Sequence, residues 1–148
     1  MNSLQRAIVA LCVVAGLLMA FPGLVYLTGL AKVDGRPAPA DPARFSREAI
    51  VATWARCGER GPVAVDAVNP WTYATTLLFD PLAITPGSIA AWRIAARHNG
   101  KHPMGNMLSW HTSGAALSVW IRRHWSAEQI GATLVRDDLC SRVSEAAG

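Results

Sequence analysis

From Ala7 to Ala31 the chain carries no charged residue, with Arg6 before the run and Lys32 after it. As a helix at ~1.5 Å per residue, a run of that length exceeds the ~30 Å of a bilayer's hydrocarbon core. A cleaved signal peptide has a shorter apolar region, about 7–15 residues, and a small-x-small cleavage site. Gly29-Leu30-Ala31 matches such a site only loosely, so length favours an uncleaved anchor. Pro22 and Gly23 fall inside the run, where a membrane helix tolerates them. The chain is therefore expected to divide into a cytoplasmic tip and anchor at 1–31, a Pro/Ala-rich extended linker at 32–42 (KVDGRPAPADP) and a domain at 43–148. Flanking charge leaves the orientation open. Arg6 stands on one side and Lys32, Arg36 and Arg44 on the other, a count that leans slightly towards a cytoplasmic domain.

Beyond the anchor lie roughly 110 residues, enough for one compact core. The net charge of +4 is dispersed, with no Lys/Arg block. That pattern reads as a mildly basic solvated face and gives no reason to expect a nucleic-acid partner. No CxxC pair occurs among the three cysteines, which excludes a thioredoxin motif or zinc ribbon. Cys57 and Cys140 can form one disulfide in an oxidising compartment or remain two buried thiols.

The domain reads as all-α. Asp41-Pro42, Asn69-Pro70 and Thr85-Pro86 each place a capping residue before a proline at the first helical position. Ser126 with Gln129 forms a capping box, and Gly58 and Gly100 sit where helices end. These signals predict helices over 42–57, 70–79, 86–98, 106–124 and 127–144, with 61–68 as a short strand or extended loop. Trp110, Gly114, Leu117 and Ile121 form an apolar stripe at helical spacing. Trp54, Trp92, Trp110 and Trp120 read as core anchors. Trp71 differs: with Tyr73, Leu77, Leu78 and Phe79 it makes a helix apolar around most of its circumference, suited either to an ordinary core or to a bilayer surface.

Candidate chemistry is sparse. Gly100 and Pro103 keep His98 and His102 from sharing a helix face, and neither HExxH nor another ligand spacing occurs, so no metal and no cofactor are expected. His111 and His124 read as polar residues at a groove edge or at helix ends. No serine sits in GxSxG or SxxK. Of the domain's glutamates, Glu48, Glu59, Glu128 and Glu145, only Glu59 has a glycine-flanked, loop-like setting, Cys57-Gly58-Glu59-Arg60-Gly61. A solvated turn residue and an acid/base group are both consistent with that setting.

Pro86–Asn99 (PGSIAAWRIAARHN) and Trp120–Ile130 (WIRRHWSAEQI) together resemble the peptidoglycan glycosyltransferase domain of bifunctional penicillin-binding proteins and monofunctional transglycosylases, in diverged and truncated form. In that family a Gly-Gly-Ser-Thr motif opens a helix ending in Lys-Asn, and a later helix ends in Arg-Tyr-Ser-Lys before Ile-Leu. Here Gly87-Ser88 opens the first helix, Arg97 falls near the family's lysine, and His124-Trp125-Ser126 with Ile130 falls on the later motif. The family's Glu-Asp-x-x-Phe-x-x-His-x-Gly motif does not occur, which leaves Glu59 as the one carboxylate for the catalytic base. His111 falls near the basic pair of an Arg-Lys-x-x-Glu motif whose glutamate is replaced by Gly114. The resemblance implies a small lysozyme-like helical domain on the periplasmic side of a bacterial cytoplasmic membrane. It implies a lipid-linked disaccharide pyrophosphate as ligand, with Gly87, Ser88, Arg93, Arg97, His111 and Arg123 as candidate binding residues; Arg93, Arg97, Lys101, Arg122 and Arg123 can line a groove for the pyrophosphate or be surface charges on separate faces. Whether such a domain catalyses transfer or only binds stays open at the level of sequence. The alternative reading is a non-catalytic, membrane-anchored interaction or assembly subunit with protein partners in a larger membrane complex.

Overall fold

A computed structural model of the chain describes residues 2–79, 85–101 and 105–141. The helices are α1 (Ser3–Ala31), α2 (Arg47–Arg56), α3 (Pro70–Phe79), α4 (Ser88–Gly100), α5 (Met107–His124) and α6 (Ala127–Arg136), with a 3-10 turn at Pro42–Arg44. No strand occurs among the described residues, so the all-α reading holds and 61–68 is a loop. α1 is long and apolar enough to cross a membrane.

Local capping chemistry places most boundaries. The Ser126 hydroxyl accepts from the Gln129 N–H at 3.2 Å and the Gln129 side chain accepts from the Ser126 N–H at 2.9 Å, which fixes the start of α6. Asn69 Oδ1 accepts from the Thr72 N–H at 2.8 Å, with Pro70 as the first residue of α3. Three expectations shift. Asp41 caps only the 3-10 turn, through the Ala43 N–H at 3.0 Å, and α2 starts later under its own cap, Ser46. Gly100 is the last residue of α4, not its cap, and Lys101 follows in a right-handed conformation. α6 ends at Arg136, and Asp138 takes a positive φ of 49°; the expected extension to 144 falls partly outside the described residues.

α4 and α5 pack side by side, and α2 lies on α6. Between them sits the main core of Trp54, Ala91, Ile94, Leu117, Ile121, Trp125, Ile130 and Leu134, all buried. Each large apolar side chain removed from water contributes about 1.5–3 kcal/mol. Trp54 is the deepest tryptophan, 1% exposed, while Trp92, Trp110 and Trp120 are only half-buried. Trp125, which the sequence reading placed in a motif and not in the core, is 6% exposed. Cys57, at the end of α2, is bonded to Cys140 beyond α6, across 83 residues. That settles the two sequence alternatives in favour of a disulfide.

α1 does not stand apart from the domain. Its last turns lie antiparallel along α5, and a Cβ built on Gly29 would sit 2.6 Å from the Thr112 carbonyl oxygen. Only the absence of a side chain permits that approach. Residues 32–42 then run along the domain. Ala40 is buried and donates its N–H to Thr133 Oγ1 at 2.9 Å, and the Arg36 guanidinium sits 5.7 Å above the Trp120 ring.

Candidate functional site

The loop after α2 turns at Gly58, φ +91°, and delivers Glu59 under the start of α4. Glu59 is 6% exposed. Its Oε2 accepts the Gly87 N–H at 3.1 Å and its Oε1 accepts the Ala90 N–H at 2.9 Å. A carboxylate at a helix N-terminus satisfies amides that otherwise lack partners and meets the positive end of the helix dipole. Gly87 itself adopts φ +78°, and a Cβ there would lie 2.9 Å from Val65 Cγ2. The tight Gly-Ser turn therefore serves this junction. Thr85, expected to cap α4, instead accepts from the Arg122 guanidinium at 2.8 Å, and the same side chain donates through Nε to the Asp66 carbonyl at 3.1 Å. Arg122 is 3% exposed. Burial lowers its pKa from the ordinary value, against the opposing pull of Asp66, Glu59 and Tyr73.

The structure brings Glu59, Gly87 and Ser88 together, with Arg122 buried nearby instead of lining a groove. The N-terminus of α4, which could have offered N–H groups to an external anion, is occupied by the chain's own carboxylate. Arg93 and Arg97 follow one turn apart on α4. Arg93 lines an open recess of about 430 Å³ with Ile89, Trp92, Ala96 and Leu139, and its Nε is buried with no hydrogen-bond partner among the described residues. Arg97 is exposed. His111 and Arg123 are exposed on α5, twelve residues apart. At ~1.5 Å per residue the helix separates them by about 18 Å, too far to share one phosphate. His111 packs edge-on to Trp110 at 4.9 Å and parallel to Trp92 at 6.4 Å. His124 closes α5, its Nδ1 2.7 Å from the Trp120 carbonyl and its ring stacked on Trp120. His98 Nε2 lies 2.9 Å from the Asp34 carbonyl; His102 and Glu145 lie outside the described residues. Among the described residues, no three His, Cys, Asp or Glu side chains are grouped to hold a metal.

A second site was not legible in the sequence. α1, α3 and α5 line a half-open apolar cavity of about 310 Å³ between Phe21, Val25, Tyr26, Tyr73, Ala115 and Val119, with His111 also in its lining. Burial raises the pKa of Tyr73 from its ordinary value, so its phenol stays neutral through the physiological range. Trp71 and Phe79, on the same helix as Tyr73, are exposed. The interfacial character of α3 was the one available signal, and it named a helix without naming its neighbours.

Comparison of the chain with protein-family models, with curated proteins and with solved structures finds no match.

Proposed function

We propose that this protein is a single-pass, membrane-anchored interaction or assembly subunit, built on a transglycosylase-like helical domain that is catalytically silent. The observation that carries the reading is Glu59. Both of its oxygens are engaged by the amides of Gly87 and Ala90, and it is buried. A general base needs an oxygen within reach of the proton it takes, and burial together with a backbone amide on each oxygen turns this carboxylate towards α4 and away from a substrate. The anchor reading is supported by α1, and an extracytoplasmic face by the Cys57–Cys140 bond, since disulfides persist in oxidising compartments.

One observation favours a second reading, in which the domain binds or processes a lipid-linked disaccharide pyrophosphate. The Glu59–Gly87 contact joins the candidate base to the Gly-Ser turn on which the resemblance rests. Incubation of the full-length protein in detergent with a fluorescent lipid-linked precursor, with Glu59→Gln alongside, separates the two. The proposal expects no polymer from either protein. It also expects Glu59→Gln to lower stability by about 1–3 kcal/mol, because the amide offers one acceptor oxygen for two buried N–H groups. Polymer made by the parent and lost in the variant would establish the enzyme instead. An alkaline phosphatase fusion after Gly148 reads out the side of the membrane: activity supports the extracytoplasmic face, and inactivity with normal expression refutes it.

A further inference from the structure

We propose that α1 is a displaceable strap: docked on α5 it covers an apolar face of the domain, and a bilayer of ordinary thickness draws it off. This rests on the anchor reading above, and it follows from two lengths that do not fit together. The docking fixes the direction of α5 relative to α1. Lys32 Nζ donates to Ser109 Oγ at 3.1 Å, Gly29 lies on Thr112 and Ala116, and Phe21 and Pro22 share the cavity wall with Val119. The two helices therefore run antiparallel. Past Val119, α5 carries on towards the start of α1 as far as the exposed Arg123 and His124.

A docked α1 is too short to span. The uncharged run starts at Ala7, and every residue from there to Phe21 is exposed. At ~1.5 Å per residue this uncovered stretch is about 22 Å long, against a hydrocarbon core of ~30 Å. The part of α5 between Val119 and His124 runs alongside it for about 7 Å at the same rise. Keeping that charged end out of hydrocarbon leaves α1 roughly half a bilayer to cross with. A bend at Pro22, which has no N–H to give the helix ladder, swings the uncovered stretch without lengthening it. Full crossing needs the turns from Pro22 to Tyr26 as well, and these are the turns that wall the cavity.

Docking is the weaker hold. Of α1, only Gly29 is buried, the Lys32–Ser109 bond is exposed, and the cavity is half-open. Leu24 and Leu27 stand exposed on the docked helix and gain by entering hydrocarbon. Withdrawal of α1 uncovers Ala115, Ala116 and Val119 on α5 and Tyr73 and Ala74 on α3, so the exposure of that face depends on insertion.

The test reads the covered face with a membrane-impermeant maleimide on full-length protein carrying Cys12→Ser, in which the remaining cysteines are bonded to each other. Val119→Cys is one reporter and Ala116→Cys, beside Gly29, a second. Ser118→Cys, buried but outside the cavity, is the control. In short-chain dilauroylphosphatidylcholine vesicles, whose thinner core the uncovered stretch can cross, both reporters are expected to label slowly. In long-chain dierucoylphosphatidylcholine vesicles they are expected to label at least tenfold faster, with Ser118→Cys still unlabelled. Adding Gly29→Leu, which forces the docked helices apart, should raise the short-chain rate to the long-chain one. Equal rates in the two lipids, from protein that floats with both, overturn the proposal: slow rates mean that α1 spans while docked, and fast rates that it never docks. Labelling of Ser118→Cys at the reporters' rate overturns it too, because the domain and not the strap has then opened. Failure to float with either vesicle refutes instead the anchor reading on which the strap rests.

Discussion

The half of the domain built from α2, α4 and α6 and the half built from α1, α3 and α5 use the same kinds of residue, yet they close differently. In the first, Trp54, Ile130 and Leu134 are sealed, Gly131 lets Ile50 approach so closely that a Cβ would sit 2.5 Å from its Cγ2, and a disulfide ties the two ends together. In the second, α1 meets α5 tightly only around Gly29, and lower down the helices part to leave the cavity. Exposure follows a similar division. Glu59 is enclosed with its partners at the start of α4, whereas Met107 and Leu108 on α5 and Trp71 and Phe79 on α3 stay uncovered. Close packing resembling an organic crystal is the default for a water-soluble core. The half that departs from it lies beside α1, the helix long and apolar enough to cross a membrane.

The largest way to break this contrast is to cut the tie of the sealed half. Replacing both Cys57 and Cys140 by Ser releases a loop spanning 83 residues, which chain entropy values at roughly 4–5 kcal/mol. Chemical denaturation followed by the fluorescence of the tryptophans should show that loss, and an unchanged midpoint would mean that packing alone holds the sealed half. A smaller effect is expected where α1 meets α5. Gly29→Leu should cost about 1–3 kcal/mol by overpacking and expose the α1–α5 seam to protease. Gly16→Leu, at a position with nothing within 4 Å, should stay within about 0.5 kcal/mol. Equal effects at the two glycines would refute the docking of α1. The smallest effect belongs to the surface of the sealed half. The Arg136 guanidinium bonds Asp137 at 2.8 Å and holds its carboxyl below the ordinary 3.8. A depressed folded pKa gives stability that is present above pH ~4 and lost as pH falls through the folded value. Both side chains are partly exposed, so the loss should be well under 1 kcal/mol. Asp137→Asn should show no such acid-dependent loss, and a parent that matches the variant at every pH would remove the pair from consideration.

Most of the local structure could be read in advance because capping signals act within a few residues. The Asn69-Pro70 start and the Ser126/Gln129 box were legible for that reason. The start of α4 was not, because its cap comes from Glu59, 28 residues upstream in the chain, and Thr85 is taken by Arg122, 37 residues downstream. Glu59 and Gly87 were both candidates by sequence, but their contact was not. The same limit explains Trp92, Trp110 and Trp120, whose half-exposure depends on which helix lies beside them.

By itself, the sequence determined that α1 is long and apolar enough for a bilayer, that the rest is helical, and that Cys57 and Cys140 could pair. These follow from composition, periodicity and spacing, which need no partner in space. Only the tertiary structure decided that Glu59 is spent on the amides of α4, that Arg122 lies inside and not in a groove, and that α1, α3 and α5 part to form a cavity. Each of these depends on which surfaces meet. Hydrophobic attraction is non-directional, so it drives burial without specifying the neighbour.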